Sequence, residues 1–247
     1  WATAVVAHGF SASCRDPAVL ALVEHLHAGG MDVLAYDARG HGGSEGVCSL
    51  GRAEHLDVRA ALERLGEPEG PVVLVGISMG AVAVVGYLVG AEVSGGPAPP
   101  AHRQLAGAVV ASSPSRWRVR PTPLSVVNAV LTKTRPGRWL AHRRMNVRIE
   151  AGWRTPDPPE AAIGRVRLPM AFVHGERDRL LSTDHALRLA CSVGGASRLV
   201  VVPGMGHGID ARGCQAVLEA CYWVLSCGRQ AELTAMGSGA GSPRLQP

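Results

Sequence analysis

The run Val72–Ile77 reads VVLVGI, Ala2–Ala7 reads ATAVVA and Leu105–Ala111 reads LAGAVVA. A strand with one face in water alternates polar and apolar residues. Runs this short and this apolar belong to strands covered on both faces, as in a parallel sheet. Val33–Tyr36, Met170–Val173 and Leu199–Val202 are runs of the same kind. Helical patterns lie between them, over Pro17–Ala28, Arg52–Leu65, Met79–Val89, Thr183–Val193 and Arg212–Ser226. Such alternation leaves few topologies, because right-handed crossovers put helices on both faces of the sheet. The expectation is an α/β fold, with a mostly parallel sheet sandwiched between helices.

Local signals sharpen some elements. Asp16 before Pro17 has the form of an N-cap followed by proline at N1, and Leu20, Leu22, Val23 and Leu26 are spaced for one helical face. Gly90–Gln104, rich in glycine and proline, reads as a loop. The alternation breaks between Ser115 and Arg165, a Pro-punctuated stretch with Trp117, Trp139 and Trp153. It reads as a small cap insertion above the sheet. Thr122-Pro123 would cap a helix there, with Leu124, Val127 and Leu131 on one face. The expected organisation is a core over 1–114 and 166–227, a cap over 115–165 and a disordered tail over 228–247.

Composition excludes several classes. Hydrophobic residues make up 47% and charged residues 18% of the 247, the balance of a soluble globular chain. No apolar run approaches the roughly 20 residues of a membrane span. No basic segment followed by an apolar one opens the chain, so no signal peptide is expected and a cytoplasmic location is. The six cysteines form no CxxC pair, and neither zinc-ligand spacing nor HExxH occurs. Free thiols and no metal follow, with Cys214 and Cys221 on one core face. The net charge of +5 comes with no helix-turn-helix, zinc-finger or RNA-binding signature, so it does not argue for nucleic acid.

In parallel sheets, ligands bind beyond the carboxyl ends of the strands. The loops at those ends are rich in chemistry: His8-Gly9-Phe10, Asp37–Ser44, Gly76-Ile77-Ser78-Met79-Gly80, His174–Asp178 and Gly204–Gly208. With these loops the chain resembles the α/β-hydrolase family over nearly all of Thr3 to Leu225. Asp37–Ser44 and the glycine-flanked serine are most similar to its esterase, monoacylglycerol-lipase and lysophospholipase-like branch. Strands that usually precede the Ala2–Ala7 strand are missing, which implies an N-terminally short sheet.

The chemistry can also be argued from the residues. A strand-to-helix turn this sharp leaves no room for side chains beside the serine, hence Gly76 and Gly80. A hydroxyl is a poor nucleophile until a base takes its proton. His207, between glycines after the last strand, is the candidate base. An imidazole needs a partner on its second nitrogen, and Asp178 is the candidate. Asp184 lies close by but reads better in the first turn of the next helix; Asp37 and Asp210 are more distant alternatives. The order Ser78, Asp178, His207 matches the family order. The resemblance further implies an oxyanion hole from the backbone N–H groups of Met79 and Phe10, whose side chains would border the acyl site.

The competing readings are plain ones. Ser78 could be a turn serine and His207 a loop histidine. His8 reads as structural, orienting the oxyanion loop, and Asp37, Arg39 and His41 as ties between loops. The expected activity is carboxylic-ester hydrolysis through an acyl-enzyme, without metal or organic cofactor. Thioesterase, carbon–carbon hydrolase, peptidase and cofactor-free peroxidase would share the same triad. From another class, the pocket could serve a non-catalytic binding protein. The partner expected is a small acyl ester. Arg116, Arg118, Arg120, Lys133, Arg135, Arg138, Arg143, Arg144 and Arg148 fall in a window without an acid, so an anionic substrate or surface could be drawn to the cap. The plainer reading of these bases is a solvated arginine-rich face.

Overall fold

The computed structural model describes residues 2–93, 100–118, 121–152 and 155–239. Six strands form one sheet: β1 (Ala2–Ala7), β2 (Met31–Tyr36), β3 (Val72–Ile77), β4 (Leu105–Ala111), β5 (Met170–Gly175) and β6 (Ser197–Val202). Their order is β2-β1-β3-β4-β5-β6, and every pairing is parallel. All six residues of β1, β3 and β5 are buried, as the unbroken apolar runs require. Each fully buried valine or leucine contributes about 1.5–3 kcal/mol of transfer free energy.

The strands send alternate residues to two cores. Val73, Val75, Val109 and Ala111 meet helices α1 (Pro17–Ala28) and α7 (Ala211–Gly239). Val5, Leu74, Val110 and Phe172 meet α2 (His55–Leu65), α3 (Met79–Val93) and α6 (Thr183–Ser192). Cys214 and Cys221 share the first core, and all six cysteines are free thiols. Burial pushes the Cys221 thiol up to about 12, so it is an inert core residue.

Helix α1 starts as its cap signal demands: the Asp16 side chain accepts from the Ala18 N–H, and Pro17 takes the first turn. Its buried face, however, is Val19, Leu22 and Leu26, while Leu20 is 42% exposed. Spacings of three and four select Val19, and Leu20 falls one step round the helix. Helix α2 begins at His55 and not at Arg52, because the Glu54 carboxylate turns back to accept from the N–H groups of Ser49 and Gly51. Helix α7 continues to Gly239, past the end expected at Ser226 and into the segment read as a tail. Low complexity hid a run of good helix formers there, Gln230-Ala231-Glu232-Leu233 among them. Residues 240–247 lie outside the described residues.

Between β4 and β5 the chain forms α4 (Pro123–Lys133) and α5 (Arg135–Met145). Thr122 and Ser125 make a reciprocal capping box at the head of α4. Thr134 ends α4 and caps α5, with Pro136 in its first turn. Pro123 starts a helix as its cap signal requires, and Pro136 stands in the first turn of a second one. Leu131 packs inward, against a third cluster around Met79 and Val147, but Val127 points to water. Among the described residues no helix is long and apolar enough to cross a membrane.

Candidate active site

The carboxyl ends of β1, β3, β4 and β5, with the loop after β6, converge on one spot. Ser78 sits between β3 and α3 with φ of 51°, a left-handed conformation that costs a non-glycine residue. Packing enforces it. The Ser78 N–H donates to the Ala111 carbonyl at 2.8 Å, holding the turn against β4. A Cβ on Gly80 would overlap the Ala7 carbonyl, and one on Gly76 would lie 2.6 Å from the Gly80 oxygen. Only glycine lets α3 start this close to β1.

His207 reaches Ser78 from the loop after β6. Its Nε2 lies 3.0 Å from Ser78 Oγ, and its Nδ1 lies 2.8 Å from Asp178 Oδ2. The carboxylate fixes the tautomer: Nδ1 carries the proton, and Nε2 accepts from the hydroxyl. Asp178 Oδ1 accepts from the N–H groups of Leu180 and Leu181, at 2.8 Å each. Burial alone would raise the Asp178 pKa. The hydrogen bonds from His207, Leu181 and Leu180 outweigh it and hold the pKa below the usual carboxylate range. The carboxylate is therefore charged and aimed. His174 packs behind it, its Nε2 3.4 Å from Asp178 Oδ2 and 3.3 Å from the Leu181 carbonyl.

The three other aspartates considered from sequence are engaged elsewhere. Asp184 pairs with Arg188 at 2.7 Å on the surface of α6. Asp210 caps α7, accepting from the N–H groups of Arg212 and Gly213. Asp37 accepts from the N–H groups of Cys14 and Gly43. That last contact belongs to a set of ties on the loop after β1. His8 donates through Nδ1 to the Gly9 carbonyl and accepts at Nε2 from the Ala38 N–H. His41 donates to the Arg39 carbonyl and accepts from the Ser11 N–H. Arg39 is held in turn by Asp57 at 2.8 Å. The loop so fixed brings Gly9 against the serine: a Cβ there would stand 3.4 Å from Ser78 Cβ. Phe10 follows on this loop and packs with Met79 in the third cluster. As the first residue of α3, Met79 has no helical acceptor for its N–H.

One residue of the site was not anticipated. Ser112, fully buried at the end of β4 with φ of 50°, donates through Oγ to the Gly208 carbonyl at 3.1 Å. The same oxygen accepts from the Gly208 N–H at 3.2 Å. It straps the loop that carries His207 to the sheet. The available signal was a serine directly after a buried strand, at the same end as every other polar loop.

Ser78 and His207 line a cavity of about 290 Å³, with apolar walls from Leu50, Met79, Val82 and Leu181 and a further wall from α4. Two larger surface hollows, one beside Arg39 and Asp57 and one at the amino ends of the strands, contain neither residue. No group of histidine, cysteine and acidic side chains among the described residues could hold a metal. The basic window mostly faces away from this cavity, in line with the reading of a solvated arginine-rich face. Arg120 and Trp153 lie outside the described residues. Of the other bases named above, only Arg116 and Lys133 line the cavity. Arg116 is held by Glu160 at 3.0 Å, Arg148 donates to the Ser44 carbonyl, and Arg143 lies over the exposed ring of Trp139. The guanidinium groups find partners on the surface, which is where their flat, weakly hydrated heads pack best.

A family model described as the alpha/beta hydrolase family matches residues 4–220. The chain belongs to that family. Two uncharacterized proteins of Mycobacterium tuberculosis, one from strain CDC 1551 / Oshkosh and one from strain H37Rv, are 31% identical over 186 residues. That covers 74% of this chain, which spans only 55% of the length of each relative. Among solved structures, a monoacylglycerol lipase of Paleococcus ferrophilus matches with TM-score 0.64 at 19% identity, covering 91% of this chain and 94% of that one. An esterase of Thermogutta terrifontis matches with TM-score 0.64 at 19% identity, covering 91% and 90%. A bromoperoxidase of Bacillus anthracis matches equally well, with TM-score 0.64 at 18% identity and 91% of each chain covered. The shared fold thus spans more than one chemistry, and the site must choose between them.

Five buried or half-buried histidines of this chain have pKa values below the ordinary 6.5 for one main reason, desolvation: His8, His41, His55, His174 and His185. Unfolding returns them to about 6.5, so below that pH the unfolded chain binds more protons than the folded one. Their contribution is complete above pH 6.5 and is lost as the pH falls towards the lowered folded values. Asp37, Glu54 and Asp178, also lowered, contribute fully above the ordinary carboxylate range and withdraw theirs as the pH falls through it towards the lowered folded values. The urea midpoint should therefore fall between pH 7.5 and pH 5, before any carboxylate titrates. A midpoint constant over that interval would contradict the histidine assignment.

Proposed function

We propose that this chain is a serine hydrolase that cleaves carboxylic esters through Ser78, His207 and Asp178. The observation that carries the reading is the unbroken line from Ser78 Oγ to His207 at 3.0 Å and on to Asp178 at 2.8 Å, opening on an apolar cavity. Ser78 attacks the ester carbonyl while His207 Nε2 takes its proton. The N–H groups of Met79 and Phe10 receive the charge that develops on the carbonyl oxygen. His207 then protonates the leaving alcohol, and later removes a proton from the water that frees the acid and restores Ser78. Asp178 keeps the imidazole oriented and stabilises its charged form. Residues 115–165 serve as the cap that limits what enters, on a core of 1–114 and 166–227. The side chains of Phe10 and Met79 border the acyl group.

The cavity of about 290 Å³ sits at the lower edge of the roughly 300–1,000 Å³ usual for ligand sites. A small ester is therefore the expected substrate. On a series of p-nitrophenyl esters, kcat/KM should be highest for short acyl chains and fall as the chain outgrows the cavity. A matched thioester series separates esterase from thioesterase. Hydrolysis rising steadily to long acyl chains would contradict the cavity as the acyl site, and hydrolysis of none would contradict the reading itself.

A further inference from the structure

Helix α4 is amphipathic the wrong way round. Ser125, Asn128 and Thr132 follow one another at three and four residues, so they share a face. That face walls the cavity that holds Ser78 and His207, and Lys133, exposed at the end of the helix, also lines it. The opposite side carries Val126, Val127 and Val130, at 61%, 51% and 50% exposure. A helix closing an apolar pocket ordinarily turns its valines inward and its polar row to water. Here the polar row meets the pocket.

Two members of that row are used by the helix itself. Ser125 Oγ donates to the Thr122 carbonyl at 2.8 Å, and Thr132 Oγ1 to the Asn128 carbonyl at 2.7 Å. The Asn128 amide and the Lys133 ammonium have no protein partner among the described residues. Arg116, the other base on the wall, is tied through Nη2 to Glu160, while its buried Nε has no partner among the described residues. Lys133 is also the only lysine of the chain. A compact ammonium with three donors suits a carboxylate or phosphate approached from any side, and the Asn128 amide offers a further donor on the wall of the same cavity.

We infer that the pocket takes esters with one apolar arm and one anionic arm, the anionic group being bound by the Lys133 ammonium at the end of α4. This rests on the ester-hydrolase reading and names the substrate class of the same site. The anion could sit on the acyl or on the alcohol side, and two arms of one experiment separate these. Mono-p-nitrophenyl adipate is compared with p-nitrophenyl heptanoate, and butyryl glycolate with ethyl butyrate. The readout is the ratio of anionic to neutral kcat/KM within each variant. In at least one arm the ratio should fall about 10-fold in Lys133→Met, the scale of one charge-assisted hydrogen bond. Lys133→Arg should keep most of it, and raised salt should shrink it. Arg144→Gln, away from the cavity, should leave it at the wild-type value.

A wild-type ratio in Lys133→Met in both arms would overturn the inference. So would an equal fall in Arg144→Gln, which would mean a general field and no subsite. Binding is read apart from turnover with the uncleavable amide N-propyl adipamic acid, followed through the fluorescence of Trp117 on the cavity wall. Saturable binding that Lys133→Met weakens supports the subsite, even if no ester is turned over and the hydrolase reading fails. No saturable binding to the wild-type chain overturns it.

Discussion

Ser78→Ala should lower turnover of a short p-nitrophenyl ester by about 10⁴-fold or more. The hydroxyl is the atom that forms the acyl bond, and no neighbour replaces it. His207→Ala should do about as much harm, because an unassisted serine and an unemployed base are equally idle. Folding should hardly change. Ser78 holds φ at 51° and is only partly buried, so alanine keeps the same backbone strain and leaves little void. Ser78→Gly removes that strain and should be inactive yet at least as stable in urea. A variant lacking the hydroxyl that kept most of its activity would remove Ser78 from the mechanism.

Asp178→Asn should lower kcat by about 10³–10⁴-fold while KM changes little. The reason lies in what surrounds the side chain. The N–H groups of Leu180 and Leu181 both point at Oδ1, so they hold the amide oxygen there. The amide NH₂ must then face His207 Nδ1. That nitrogen becomes an acceptor, the proton moves to Nε2, and Nε2 can no longer accept from Ser78. Asp184→Asn breaks only a surface pair with Arg188 and should leave kcat near its normal value. Equal losses in the two variants, or a loss below 10-fold in Asp178→Asn, would contradict the orientation described.

The contrast between those two aspartates marks what sequence can carry. The inner strands β1, β3, β4 and β5 were legible because burial on both faces leaves an unbroken apolar run, and β1 and β3 end where the runs end; the edge strands β2 and β6 show only a shorter apolar stretch, since their outer parts are partly exposed. The positions of Ser78, Asp178 and His207 were legible because each lies in the short loop that follows a strand of the sheet. The sense of α4 was not. A valine count cannot say which side of a helix faces water, and the polar row at Ser125, Asn128 and Thr132 gains meaning only beside the cavity. The direction of the nine cap bases was not legible for a related reason: composition fixes their charge but not the way they face. Lys133 looked no different from Arg143, yet one lines the cavity and the other covers Trp139. Ser112 escaped notice because its partner, Gly208, lies 96 residues away. Helix α5 was not anticipated: its apolar residues are few among the arginines, and Pro136 stands in a first turn that tolerates it.

Labelling with a fluorophosphonate probe, followed by peptide mapping, tests the central claim most directly. The probe needs a serine hydroxyl that an adjacent base has activated, and it needs no knowledge of the substrate. The account predicts one stoichiometric adduct on Ser78, absent in Ser78→Ala and strongly slowed in His207→Ala and Asp178→Asn. A folded wild-type chain that takes up no label, or takes it up on a serine other than Ser78, would contradict it.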